Sequence, residues 1–101
     1  MKTVIASEGK TFDSEIFDFA GRAPFYLVFQ DKELVEVIEN PFINQGGVGF
    51  KLPELLEKKQ TELFVAGEFG GNMERNLEEK NINFKKAKGL VKDFIKNEQA
   101  L

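Results

Sequence analysis

Through its second half this chain alternates between β-rich apolar runs and helical apolar stripes. That alternation limits the fold more than any other feature. Glu62-Leu63-Phe64-Val65-Ala66 reads as a fourth strand, and Ile82 to Lys86 as a short fifth one. Before the fourth strand, Val48, Leu52, Leu55 and Leu56 make a helical stripe over Val48 to Lys59. Before the fifth, Met73 and Leu77 face inward on a second helix that runs to Lys80. After it, Gly89 precedes a third helix with Leu90, Val91, Phe94 and Ile95 on one face. Strands entered through a helix lie parallel to their neighbours and are joined by right-handed crossovers. The first half differs. Thr3-Val4-Ile5-Ala6, Phe25-Tyr26-Leu27-Val28-Phe29 and Leu34 to Glu39 read as three strands, with Gln30-Asp31-Lys32 as a hairpin turn and Asn40-Pro41 as a stop. The order β-β-β-α-β-α-β-α makes a mixed sheet with helices on both faces, an α/β protein. Pro53 strains this reading, because proline fits a helix only near its first turn; it would move the helix start toward Leu52.

A chain of 101 residues with 42% hydrophobic side chains supports one domain, 1–101, and one core. Eleven Phe and no Trp make that core Phe-rich, and Phe12, Ile16, Phe17, Phe19 and Phe25 are expected to anchor to it. The net charge of −3 argues against a general nucleic-acid or anionic-membrane binder. Charge is unevenly spread: residues 80–101 carry 6 Lys against Asp93 and Glu98, while residues 1–79 are acidic in balance. The segment reads as a solvated face or, more sharply, as a docking patch for an acidic protein partner. No Cys means no disulfide, thiol catalysis or thiolate ligation, and the chain also has no His. With no membrane-length apolar run and no signal pattern, a soluble, cytoplasmic protein is expected.

Glycine-centred loops mark the joints between elements: Ser7-Glu8-Gly9, Gly21-Arg22-Ala23-Pro24, Gly46-Gly47-Val48-Gly49, Ala66-Gly67 and Gly70-Gly71-Asn72. Glycine serves where the backbone needs positive φ or must let something approach. With Asp13-Ser14, Asn40-Pro41 and Gly89-Leu90-Val91-x-x-Phe94, these motifs in this order resemble the dinitrogenase iron–molybdenum cofactor biosynthesis family over essentially the whole chain. The resemblance implies a ribonuclease H-like topology with sheet order 3-2-1-4-5. It also implies a small non-catalytic carrier that binds the iron–molybdenum cofactor or another iron–sulfur-type cluster during metallocofactor assembly. The chain departs from the family's cluster-binding members, which often have a His near the Gly-Arg segment or a Cys elsewhere. Here that stretch reads Phe17-Asp18-Phe19-Ala20-Gly21.

The implied topology gathers the loops at one sheet edge, where open α/β sheets bind ligands. The candidate rim is Ser7, Gly9, Gly21, Arg22, Ala23, Gly46, Gly47, Gly49, Gly67, Gly70 and Asn72. Two of its loops open helices, where free amides and the helix dipole favour anions. Arg22 adds a fixed positive charge. A metal cluster, a carboxylate or a phosphate could each use this arrangement. Each part also has a plainer reading: the glycines as turn and packing residues, Arg22 paired with Asp13 or Asp18, Asn72 as a helix N-cap, and Met73 as core. Asp13, Glu15 and Asp18 could hold a hard cation but read better as a solvated loop. A ribonuclease H-like nuclease normally needs an acid in the first strand, and Thr3 to Ala6 has none. A carrier of a cluster or small anion ranks first, a protein-interaction module of the same fold second, and an enzyme last.

Overall fold

The computed structural model describes residues 1–97. Five strands, β1 (Lys2–Ser7), β2 (Phe25–Gln30), β3 (Glu33–Glu39), β4 (Leu63–Ala66) and β5 (Asn83–Lys86), form one sheet in the order β3-β2-β1-β4-β5. Both pairings of β2 are antiparallel, while β1–β4 and β4–β5 are parallel. Helices α1 (Val48–Lys58) and α2 (Gly71–Glu79) make the crossovers into β4 and β5, and α3 (Val91–Asn97) follows the last strand. This is the sheet order that the family resemblance implies.

Side chains alternate across the pleat, so the central strands feed two cores. Val4 and Ala6 of β1, Tyr26 and Val28 of β2, and Phe64 and Ala66 of β4 face α1 and α2, where Leu52, Leu56, Met73 and Leu77 meet them. Ile5, Leu27, Phe29 and Val65 face the other way, toward Val91 and Ile95 of α3. Burial on both faces explains why these strands read as continuous apolar runs rather than alternating ones. The ring of Phe64 lies edge-on to Tyr26 at 5.9 Å and to Phe69 at 5.5 Å, a geometry that aromatic pairs prefer.

Two expectations fail in the first half. Phe12 and Phe19 are 50% and 55% exposed rather than anchored. Ile16, Phe17 and Ala20 take up the interior beneath that stretch. The stretch between β1 and β2, where no strand or helix is expected, is also tied down by backbone bonds. The Phe17 amide donates to the Ala6 carbonyl at 2.9 Å, the Ala20 amide donates to the Glu68 carbonyl at 3.0 Å, and Ala20–Arg22 form a 3-10 turn.

Pro53 does not shorten α1, which begins at Val48 and carries the proline inside it. Proline lacks the N–H that would bond the carbonyl four residues earlier, here that of Gly49. The Asn76 side chain of α2 supplies the replacement: its Nδ2 donates to the Gly49 carbonyl at 2.8 Å. An external donor thus replaces the hydrogen bond that this proline removes.

Asn72 does not cap α2. Gly70 is the N-cap in extended conformation, with no side-chain bond, and the helix starts at Gly71. Asn72 lies inside the first turn, and its Oδ1 accepts from Arg75 Nη1 at 3.0 Å.

Gly67 closes the end of β4 against the first-half segment. A Cβ there would lie 2.8 Å from both the Cα and the carbonyl oxygen of Asp18. Those are backbone atoms, held by the bond from the Gly67 amide to the Phe17 carbonyl, and they cannot swing aside. Gly67→Ala is expected to cost about 1–3 kcal/mol in urea unfolding. Gly46→Ala, where a Cβ meets nothing within 4 Å, serves as the control and should fall within about 0.5 kcal/mol of the parent.

Candidate ligand cleft at the helix N-termini

Strands β3 and β4 run in the same direction, and each hands the chain to a helix at its carboxyl end. Helices α1 and α2 therefore begin side by side at one edge of the sheet. A Cβ on Gly49 would lie 3.3 Å from Cβ of Asn72 and 3.4 Å from the Met73 nitrogen, which measures how closely the two first turns approach. At the far ends, Lys80 Nζ meets Glu57 Oε1 at 3.2 Å.

Between these helix ends and the 3-10 turn lies an open cleft of about 860 Å³. Of the expected rim, Gly21, Arg22, Gly47, Gly49, Gly67, Gly70 and Asn72 line it. Ser7, Gly9, Ala23 and Gly46 do not. Ser7 is fully buried, and its Oγ donates to the Gly9 carbonyl at 2.8 Å and accepts from the Gly9 amide, so this pair is a local turn. Ala23 is buried, with its carbonyl accepting from Asn40 Nδ2. Arg22 does not pair with Asp13 or Asp18: among the described residues it makes no ion pair, and Asp13 meets Lys92 Nζ at 3.0 Å instead.

The cleft's donors are mostly backbone. Both helices are capped by glycine without a side-chain hydrogen bond: Gly47 in the left-handed region at φ 79°, and Gly70 in extended conformation. Among the described residues, the amides of Val48, Gly49, Gly71, Asn72 and Met73 donate to no partner. Helix N-termini leave such groups open, and the summed peptide dipoles add partial positive charge there. No acid lies in the first turn of α1; that of α2 holds Glu74. A Cβ at Gly70 or Gly71 would meet nothing within 4 Å, and neither has positive φ. Their lack of side chains therefore keeps the cleft open and serves no packing need.

The pattern-based reading missed several lining groups. Met73 is 3% exposed and packs in the core as expected, yet its side chain also reaches the cleft beneath Gly21. Phe19 is a wall residue, and Asp18, Glu68 and Lys88 add charges of both signs. Glu68 meets Lys86 at 3.4 Å, with both side chains exposed. Lys88 comes from a segment distant in sequence, and no local signal marks it. Of the six lysines in the proposed docking segment 80–101, Lys80, Lys86 and Lys92 meet carboxylates on separate elements. Residues 98–101 lie outside the described residues. Among the described residues, no group of three or more Asp or Glu is placed to hold a metal ion, and no helix is long and apolar enough to cross a membrane.

A buried polar knot fixes the turn that forms one wall. The Tyr26 hydroxyl donates to the Ala20 carbonyl at 2.6 Å. Asn40 Nδ2 donates to the Ala23 carbonyl at 2.8 Å and to the Tyr26 oxygen at 3.2 Å, while Asn40 Oδ1 accepts from the Phe42 amide. Burial pushes the Tyr26 phenol above its ordinary value of 10.0. Its contribution to stability is full below pH 10 and is lost as pH rises further, because the unfolded chain ionises first. Tyr26→Phe is therefore expected to cost about 1–3 kcal/mol at pH 7, because it leaves the Ala20 carbonyl unpaired. It should also flatten the fall in stability above pH 10 that chemical unfolding of the parent is expected to show. An equal fall in both proteins would dismiss the assignment.

The fold has counterparts among solved structures. PH0822 superposes with a TM-score of 0.83 at 20% identity, over 99% of this chain and 91% of that one. A NifB-like protein of the DUF35 family from Thermotoga gives 0.78 at 24% identity, covering 98% of this chain and 86% of the other. The apo form of the orange protein from Desulfovibrio gigas gives 0.85 at 19% identity, over 98% and 87%. At these identities the likeness is one of fold. No curated protein matches the chain by sequence. Residues 1–100, by contrast, match the family described as dinitrogenase iron-molybdenum cofactor, so the chain belongs to that family.

Proposed function

We propose that this protein is a non-catalytic carrier of an anionic metal cluster or a related small anion, held in the cleft by backbone amides and Arg22. The observation that carries this reading is the pair of uncapped, glycine-led helix N-termini opening side by side on the cleft. Oriented amides at a helix start bind anions without any side-chain ligand. The donor set also narrows the cargo. The chain has neither thiolate nor imidazole, so it is poorly suited to strip or ligate a bare soft metal ion. It fits a cluster whose metals already carry their ligands, held by hydrogen bonds to its outer atoms. The family assignment supports iron–molybdenum cofactor or a related cluster as that cargo. Nothing in the cleft needs to make or break bonds in this role.

Two variants separate the contributions. Arg22→Ala should weaken anion binding by roughly tenfold or more, because hydrogen bonds to charged groups are the strong ones. Gly70→Asp should behave in opposite ways in two assays. Its Cβ enters open space, and Asp is a good N-cap, so stability should hold or rise by a few tenths of a kcal/mol. The same carboxylate would cap the open amides and repel an anion, so binding should be lost.

The test is an anaerobic titration of isotope-labelled protein with isolated iron–molybdenum cofactor, and in parallel with inorganic phosphate, followed by amide NMR. Saturable shifts at Gly21, Gly47, Gly49, Gly67, Gly70 and Gly71 are expected. Shifts with phosphate alone would keep the anion site and reject the cluster as cargo. An unchanged spectrum with both ligands would reject the carrier reading and favour an interaction module, with an acidic protein partner as the next probe.

A further inference from the structure

We infer that Asn76 is a positioning residue that locks the first turns of α1 and α2 into one rigid rim, and that Pro53 is what gives it this role. In an uninterrupted helix the Gly49 carbonyl would bond the amide of residue 53. Proline has no such amide, so the carbonyl becomes an open acceptor in the first turn of α1. Asn76, on the neighbouring helix and half-buried, donates to it at 2.8 Å. Glycine at residue 49 eases the contact, because a Cβ there would sit tightly, at 3.3 Å, against the Cβ of Asn72. Three residue choices on two helices thus converge on one bond: a proline that frees an acceptor, a glycine that admits the neighbour, and an asparagine that donates.

The bond lies immediately behind the cleft, since Gly49, Asn72 and Met73 all line it. At the other end the helices share the Lys80–Glu57 pair, in which Glu57 is more than half exposed and the interaction correspondingly weak. Asn76 is therefore the hydrogen bond that sets how the open amides of α1 stand relative to those of α2. The consequence for binding rests on the carrier reading above. An anion that bridges two helix ends binds more tightly when their spacing is set beforehand, because less ordering is left to do on binding.

A double-mutant cycle on the full chain tests the lock without any ligand. Asn76→Ala should lower Tm by roughly 4–8 °C in the parent background. In the Pro53→Ala background the residue-53 amide can bond Gly49, and the same change should lower Tm by less than half as much. Equal losses in both backgrounds would overturn the inference, since the two residues would then act independently. Amide NMR of the free protein gives the positional readout. In Asn76→Ala the Val48 and Gly71 resonances should shift, and the double variant should return them toward the Pro53→Ala positions; resonances that stay in place in Asn76→Ala would overturn the positioning role.

Titration with tetrathiomolybdate, at a temperature where every variant is folded, supplies the functional arm. Asn76→Ala should weaken binding severalfold, with recovery in the double variant. Unchanged affinity in Asn76→Ala would reduce the bond to a stability contact and remove its role in the site. If the parent binds none of tetrathiomolybdate, phosphate and isolated iron–molybdenum cofactor, the carrier reading fails, and the thermal cycle and the free-protein spectra still decide the lock.

Discussion

Parallel pairing of β1 with β4 and of β4 with β5 is the constraint on which the rest depends. A parallel neighbour cannot be reached by a hairpin, so the chain must return across the sheet face before each of these strands. Both returns are helical and both lie on the same face, with α1 and α2 beginning at the same sheet edge. Two helix N-termini side by side are a direct product of that connectivity. Peptide dipoles and open amides then concentrate there, whatever the side chains are. The cleft is in this sense a property of topology first and of residue identity second.

Residue identity refines it by omission. Glycines at both caps leave the amides unbonded, and Gly70 and Gly71 leave the space above them empty. At Gly70, whose backbone is extended, a serine or aspartate would make a more stable helix and a less receptive one, whereas Gly47 is held to glycine by its positive φ. Stability forgone at a helix end, with no packing reason for it, is the kind of local inconsistency that proteins keep where they bind something. The absence of His and Cys accords with this picture, because a rim of amides holds an anion without coordinating a metal.

The cleft's remaining wall is held by a different device. The 3-10 turn at Ala20–Arg22 is tied to the sheet through the Tyr26 hydroxyl and the Asn40 amide, both buried and both fully bonded. Satisfied polar groups in a low-dielectric interior fix geometry more sharply than apolar packing does. Arg22 projects from this fixed turn while remaining unpaired among the described residues. A cation thus stands on a hydrogen-bonded turn, at the same cleft as the two helix ends.

Much of this was legible in the residues alone. Among the described residues, the switch between helical stripes and β-rich runs identified the five strands and three α-helices within a few residues, because burial imposes those periods locally, but gave no sign of the 3-10 turn at Ala20–Arg22. Most of the glycine loops lie along the cleft, because open backbone and tight approach both exclude side chains. Other features depend on what folding brings together. Pro53 looked like a helix breaker until a donor arrived from Asn76, 23 residues further on. Tyr26 read as one more β-former, and only the buried turn above it gave its hydroxyl a partner. Phe12 and Phe19 had the composition of core residues, but the interior beneath them was already filled by Ile16, Phe17 and Ala20. Lys88 entered the cleft from a distant loop. The sequence by itself determined the elements, their order and the places where the backbone stays bare, because those follow from local periodicity and sterics. Tertiary structure alone decided which polar groups find partners and which face the cleft, because hydrogen bonding and exclusion from a full core depend on contacts between distant residues.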